Sequence, residues 1–169
     1  TLSHLENLLQ QLIPVKEQIE NWDVILFTLY YHDVVYDALK PDNEEQSAEL
    51  AAQRMEQLNI PVQLIGKCKD QILATKTHVK SPDSDTNYFT DADLAILGQD
   101  AESYRTYSKN VRLEYAYYAD AVYTEGRIKV LNHFLNLERI YKTAFFYGKY
   151  EEQARQNISE EIKLLEDGK

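Results

Sequence analysis

The apolar residues of this chain recur at intervals of three and four over most of its length, which is typical of amphipathic helices. The pattern is clearest at the start, where one stripe is formed by Leu2, Leu5, Leu8, Leu9 and Leu12. The sequence has no alternating strand pattern and no Asn-Gly hairpin signal. We therefore predict an all-α fold.

The periodic segments and their flanking residues predict helices over 2–20, 23–37, 42–58, 61–77, 90–97, 100–119, 124–137 and 150–166. Asp42 and Glu45 have the spacing of a capping box at the start of the third helix. The stretch 79–88 is rich in Pro, Asp, Ser and Asn, so we expect a loop there. No repeat, low-complexity tract or linker divides the chain, which predicts a single domain over residues 1–169.

Composition narrows the class of protein. With 169 residues and 44% apolar content, the chain is long enough to bury one substantial core. A net charge of −10 argues against a nucleic-acid partner, because phosphate backbones bind basic surfaces. The single cysteine, Cys68, cannot form an internal disulfide, and no apolar run is long enough to suggest a membrane span. We expect a cytoplasmic protein that binds neither nucleic acid nor membranes.

Tyrosine is abundant, and several tyrosines cluster between Tyr104 and Tyr123. Such rings can form a stacking surface for a nucleobase, or they can pack between amphipathic helices with their hydroxyls hydrogen-bonded. Tyr107 and Tyr115 follow Tyr104 at helical spacing, which favours packing in the core.

The dipeptide His32-Asp33 lies inside an apolar stretch. Burying an imidazole and a carboxylate there is costly unless a partner compensates both groups, and a divalent metal ion binds both. The alternative is a structural histidine beside a hydrogen-bonded aspartate. His4 on the first predicted helix, and Asp91 or Asp93 on a later one, would complete a metal site contributed by three helices.

This order of residues resembles the HD superfamily of metal-dependent phosphohydrolases, whose ligands follow the pattern His…His-Asp…Asp. The resemblance covers essentially the whole chain and is carried by segments 32–37, 42–48, 77–78, 91–98 and 112–115. These segments are similar to one bacterial subfamily of uncharacterised predicted hydrolases, with distant similarity to cyclic-nucleotide phosphodiesterases. The resemblance implies a single-domain HD-type helical bundle with a metal site in its core, formed by His4, His32, Asp33 and Asp93.

The resemblance departs from the family pattern at the start of the chain. Members of the subfamily usually carry Tyr-His-x-x-x-His, and His4 matches the second histidine, which binds metal. The first histidine would precede Thr1, so we expect that a natural N-terminal segment is missing. A histidine one turn before His4 would share its helix face, and we expect it to protonate the leaving group.

Asp91 and Asp93 compete for the last ligand position, since they point about 200° apart around a helix. Asp93 is favoured because it precedes Leu94, as the terminal aspartate of the superfamily does. Thr90 is expected to cap this helix and Gly98 to end it. Asp91 would then support the helix start or bond a ligand histidine.

Three further residues are candidates for catalysis. Glu44 and His78 resemble the positions of the additional histidines of binuclear HD proteins, with a glutamate replacing one histidine. They would build a second metal site or orient water and a substrate phosphate. The alternatives are helix-start electrostatics for Glu44 and a loop-entry cap for His78. Arg112 has a planar guanidinium suited to a phosphate, or it pairs with Glu114 or with an aspartate of the site.

The combined pattern predicts hydrolysis of a small phosphoester or nucleotide by a metal-activated water. Nitrogen and oxygen ligands without a thiolate suit Mn, Mg, Fe, Co, Ni or Zn, as one ion or two. The alternative function is a non-enzymatic HD module that binds metal and nucleotide for regulation. A third hypothesis is a helical interaction protein with a structural His-Asp pair. The oligomeric state stays open.

Overall fold

The computed structural model describes residues 2–37 and 39–168. Within these ranges it contains helices and no strand, so the all-α prediction is confirmed. The α-helices are α1 (Leu2–Leu12), α2 (Trp22–Tyr31), α3 (Asn43–Gln57), α4 (Val62–Ala74), α5 (Ser84–Asp93), α6 (Ala101–Glu114), α7 (Asp120–Asn136) and α8 (Ala144–Asp167). Two 3₁₀ helices span Ile13–Gln18 and Leu94–Gly98. None of the helices described is long and apolar enough to cross a membrane.

The chain divides into two compact units, Thr1–Asp93 and Leu94–Lys169. In the first unit a hydrophobic core lies between α2, α3 and α4, and α3 contributes the small side chains of Ala48, Ala51 and Ala52 to it. Small residues at this face let α4 pack closely, so that Ile72 is fully buried. Each such aliphatic side chain contributes about 1.5–3 kcal/mol when it is removed from water. The single domain that we expected over residues 1–169 stays a prediction.

Helices α1 and α5 pack against each other in the first unit, and α1 also packs on α2. Leu8 and Leu12 are buried on α1, and Phe89 is buried on α5. The second half of the predicted stripe therefore lies inward on α1, whereas Leu2 at its start is exposed. This packing brings together residues near the start of α1, the end of α2 and the end of α5.

Helix α5 begins inside the stretch that we expected to be a loop, so that prediction is wrong for residues 84–88. The carboxylate of Asp83 accepts hydrogen bonds from the backbone N–H and the hydroxyl of Thr86, at 2.9 and 2.7 Å. An aspartate in this position stabilises a helix start. Thr90 consequently lies inside the helix, where its hydroxyl donates to the Thr86 carbonyl at 2.9 Å, and it is not the cap.

Helix α2 ends at Tyr31, earlier than the predicted end at residue 37. The turn that follows is held by Ser47, whose hydroxyl oxygen accepts from the N–H of Val35 at 3.1 Å. The capping box predicted for α3 does not form. The Asp42 carboxylate accepts from the side chain of Gln46 at 2.8 Å and makes no capping hydrogen bond to the helix.

The second unit contains α6, α7, α8 and the 3₁₀ segment Leu94–Gly98, which packs on α8. Gly98 ends that segment as expected. A Cβ atom at Gly98 would come within 2.5 Å of the Tyr150 Cβ, so the glycine also permits the close approach of α8. Inside this unit the Arg127 guanidinium donates two hydrogen bonds to the Glu161 carboxylate, at 2.8 and 3.0 Å.

The clustered tyrosines divide between the core and the surface of the second unit. Tyr104 and Tyr123 are buried, and the Tyr104 hydroxyl donates to Glu161. Tyr117 and Tyr118 are exposed, because α6 ends at Glu114 and the helical face is not continued. The packing interpretation therefore holds for the first pair and is wrong for the second.

Candidate metal centre

His32 is the residue immediately after α2, and its side chain is 1% exposed. Its Nδ1 lies 2.9 Å from the carbonyl oxygen of Leu29, which can only accept a hydrogen bond. Nδ1 therefore carries a proton, and Nε2 faces His4 and the carboxylates, where its lone pair in the neutral ring can bind a cation. Phe89 packs against the ring edge-on, with ring centroids 5.5 Å apart.

His4 lies in the first turn of α1 and faces His32. The two Nε2 atoms are 3.1 Å apart, and the His4 side chain is 37% exposed. The packing of α1 on α2 sets this contact. His4 therefore forms a half-exposed side of the cluster, while His32 forms its buried base.

Asp33 directs its carboxylate at the same point. Its Oδ2 lies 3.4 Å from Nε2 of His32 and 4.0 Å from Nε2 of His4. The Asp33 side chain is 57% exposed, so our expectation that both members of the dipeptide are buried is wrong for the aspartate. The reason is that α2 ends before His32, and the chain turns outward at Asp33.

Asp93 is the last residue of α5, and its side chain is 16% exposed. Its Oδ1 lies 3.7 Å from Nε2 of His4 and 3.8 Å from Nε2 of His32. Burial alone raises the pKa of a carboxyl. Here the hydrogen bond from His78 and the favourable electrostatic interaction with the neighbouring imidazoles outweigh burial and hold the pKa of Asp93 well below its usual range. The carboxylate is ionised at neutral pH.

His78 follows α4 and contacts the cluster through Asp93. Its Nε2 lies 3.0 Å from Oδ2 of Asp93, so a different carboxylate oxygen faces His78 than faces the other two imidazoles. The backbone of His78 has a φ of 53°, in the left-handed region. A residue other than glycine adopts this conformation at a cost of order 1–3 kcal/mol.

The four groups that the sequence pointed to are thus brought together, and we refer to His4, His32, Asp33 and Asp93 as the His–Asp cluster. Ligand atoms around an ion at about 2.1 Å are separated by roughly 3.0 Å at right angles and roughly 4.2 Å when opposite. The two Nε2 atoms of the cluster are 3.1 Å apart, and the separations between these atoms and the carboxylate oxygens run from 3.4 to 4.0 Å. His4, His32 and Asp33 alone form a group that could hold a metal ion.

The remaining candidates have other contacts. Asp91 is fully buried inside α5. We had expected it at the start of the helix, and that prediction is wrong because α5 begins at Ser84. The Glu44 carboxylate lies 3.9 Å from Nζ of Lys76.

Arg112, in the second unit, donates to Asp120 at 2.5 Å and to the carbonyl of Tyr115 at 2.9 Å. The carboxylate that accepts from Arg112 is that of Asp120, whereas the sequence suggested Glu114 as a partner. The catalytic roles of Glu44 and Arg112 stay predictions.

One supporting contact had no signal in the sequence. The Leu29 carbonyl fixes the tautomer of His32 because α2 ends at Tyr31, immediately before His32. Hydrophobic periodicity does not determine the last residue of a helix accurately. The spacing from Leu29 to His32 becomes informative only once that end is known.

Comparison of the chain with protein-family models, with curated proteins and with solved structures finds no match in any of the three.

Proposed function

We propose that this protein is a metal-dependent phosphohydrolase of the HD type, which uses the His–Asp cluster to hold a divalent ion. The observation that carries the proposal is that two imidazole Nε2 atoms lie 3.1 Å apart and each lies 3.4 to 4.0 Å from an oxygen of Asp33 and of Asp93, from three separate segments of the first unit. A mixed nitrogen and oxygen set suits Mn, Mg, Fe, Co, Ni or Zn.

The tautomer of His32 supports the fit to a cation. Its Nδ1–H is committed to the Leu29 carbonyl, so Nε2 faces the cluster as a lone pair. Metal-binding histidines are commonly oriented in this way by a carbonyl or carboxylate on their other nitrogen. The ionised Asp93 supplies negative charge that a divalent ion requires, and the Asp33 carboxylate adds a second oxygen ligand.

The exposure of the cluster supports catalysis over a purely structural role. His4 and Asp33 reach solvent, while His32 is buried beneath them. A structural ion is usually closed off by its ligands, whereas a catalytic ion keeps an open position. The exposed side of the cluster would admit a small phosphorylated molecule, and nucleotides are the substrates we would test first.

A divalent ion held there supplies positive charge that acidifies a water molecule and polarises a phosphoryl oxygen. The residues of the chain provide the setting for this chemistry. His32 and Phe89 close the buried side, and the Leu29 carbonyl keeps the His32 ring from rotating. Asp33 lies on the open side, where its carboxylate can also orient a nearby water.

The proposal is tested with purified full-length protein stripped of metal and reloaded with each of the six candidate metals. We expect hydrolysis of at least one member of a panel of aryl phosphates, phosphodiesters and nucleotides, lost on chelation and restored by metal. His4→Ala should remove this activity. His133→Ala is the matched control, because His133 is an exposed histidine of the second unit.

Metal binding without turnover of any substrate would contradict the enzymatic proposal and favour the non-enzymatic HD module. Activity that survives in His4→Ala would mean that a contaminating phosphatase or a different site is responsible.

A further inference from the structure

His78 occupies a backbone position at which its side chain is a disadvantage for folding. The N–H of His78 donates to the Ala74 carbonyl at 2.9 Å and closes the last turn of α4. Its φ of 53° is the left-handed conformation in which helices commonly end. Glycine adopts this conformation without steric cost, and asparagine adopts it more readily than most other residues. Histidine is, with asparagine and aspartate, several-fold enriched among the residues found there, so this backbone position accepts a histidine but does not require one.

The imidazole of His78 makes a contact that a glycine would lack. Its Nε2 lies 3.0 Å from Oδ2 of Asp93, and the side chain is only 12% exposed. An ionised carboxylate can only accept, so Nε2 carries the hydrogen. Oδ1 of the same carboxylate faces His4 and His32 at 3.7 and 3.8 Å. The two oxygens of Asp93 are thus divided between His78 and the other two imidazoles.

We infer that His78 is a positioning residue for the metal site, which holds the Asp93 carboxylate so that Oδ1 is presented to the ion. This inference rests on the proposed function, since it assigns His78 a role toward an Asp93 that binds metal. His78 reaches the ion through Asp93 and is not itself a ligand. From its left-handed backbone position the ring reaches Oδ2 of Asp93.

Two substitutions at position 78 separate this role from a purely structural one. His78→Gly keeps the left-handed backbone at no steric cost but has no donor for Asp93. His78→Gln keeps an amide N–H donor of similar reach but places a side chain in the strained conformation. The stability and the metal affinity of these variants should therefore rank in opposite orders.

We expect the metal-free His78→Gly protein to unfold at a higher temperature than metal-free His78→Gln. In titration calorimetry with Mn²⁺ alone, His78→Gly should bind about 10–100-fold more weakly than the wild type, which is typical for loss of a group that orients a ligand. His78→Gln should bind more tightly than His78→Gly. Asn59→Gly is the control. Among the described residues, Asn59 is the other non-glycine residue with a left-handed backbone, at a φ of 55°. It should leave the Mn²⁺ affinity unchanged.

Wild-type affinity in His78→Gly, or an affinity that follows thermal stability across the variants, would overturn the positioning role and leave the metal site in place. Absence of binding of Mn²⁺ and of each of the other five candidate metals by the wild-type protein would overturn the proposed function together with this inference. The two failures are distinguished by the wild-type titration.

Discussion

Replacing Asp33 by alanine should abolish metal binding and hydrolysis while the protein stays folded. The Asp33 carboxylate lies in the His–Asp cluster, 3.4 Å from Nε2 of His32, yet its side chain is 57% exposed. Its removal opens no core cavity, so the cost to the metal-free fold should be within ~0.5 kcal/mol. The loss of metal affinity should exceed the roughly 10–100-fold that follows from disturbing a group behind a ligand.

Thermal unfolding with and without metal measures both parts of this result. At a metal concentration of 100 times Kd, wild-type protein should gain ~2.7 kcal/mol from binding. That gain should raise the unfolding temperature by roughly 5–10 °C in a chain of this size. Asp33→Ala should show no such rise. Asp70→Ala removes a carboxylate from an exposed position on α4 of the same unit and should respond to metal like the wild type. Stoichiometric metal in purified Asp33→Ala would show that Asp33 is not a ligand.

Replacing Arg127 by methionine should cost the second unit about 3–5 kcal/mol of stability, because it leaves a buried carboxylate without its partner. Arg127 donates to both oxygens of Glu161, and the hydroxyl of Tyr104 donates to the same carboxylate. Adding Glu161→Gln should restore most of the loss, since the amide oxygen still accepts from Tyr104 and carries no charge. Chemical denaturation of both variants and of the exposed control Arg105→Met measures this. Equal stability of the single and double variants would contradict it.

The pH dependence of this pair has a definite sign. Burial raises the pKa of Glu161, but the hydrogen bonds and charge of Arg127 outweigh burial, so the native pKa lies below the ordinary value of 4.5. A carboxyl with a lowered native pKa contributes stability above its unfolded pKa and loses it as the pH falls through the native value. Stability of the wild-type protein should therefore drop below about pH 4.5, and part of that drop should be missing in the double variant.

The sequence was sufficient for the class of fold but not for every helix. Helix α1 was predicted because its apolar residues recur at helical spacing, and Leu8 and Leu12 of that stripe are buried in the fold. The start of α5 was missed because its buried residues are polar. The Asp85 carboxylate accepts from the N–H groups of Glu20 and Asn21, at 2.8 and 2.9 Å. Such partners are distant in sequence, and hydrophobic periodicity carries no information about them.

The candidate site divides in a similar way. The spacing of His4, His32-Asp33 and Asp93 along the chain was informative because helices that pack together bring such residues to one point. The exposure of Asp33 was not predictable, since it depends on α2 ending at Tyr31. The orientation of His78 depends on a left-handed backbone. A glycine in the sequence would have suggested that conformation, whereas a histidine does not.

The most direct test of the metal centre is an anomalous-scattering crystal structure of the protein loaded with the metal that supports activity or binds most tightly. We expect one ion within about 2.0–2.3 Å of Nε2 of His4, Nε2 of His32 and a carboxylate oxygen each of Asp33 and Asp93. We also expect the hydrogen bond between His78 and Asp93 to be kept. An ion bound by other residues, or a His–Asp cluster that stays closed by its own hydrogen bonds in saturating metal, would contradict the proposal.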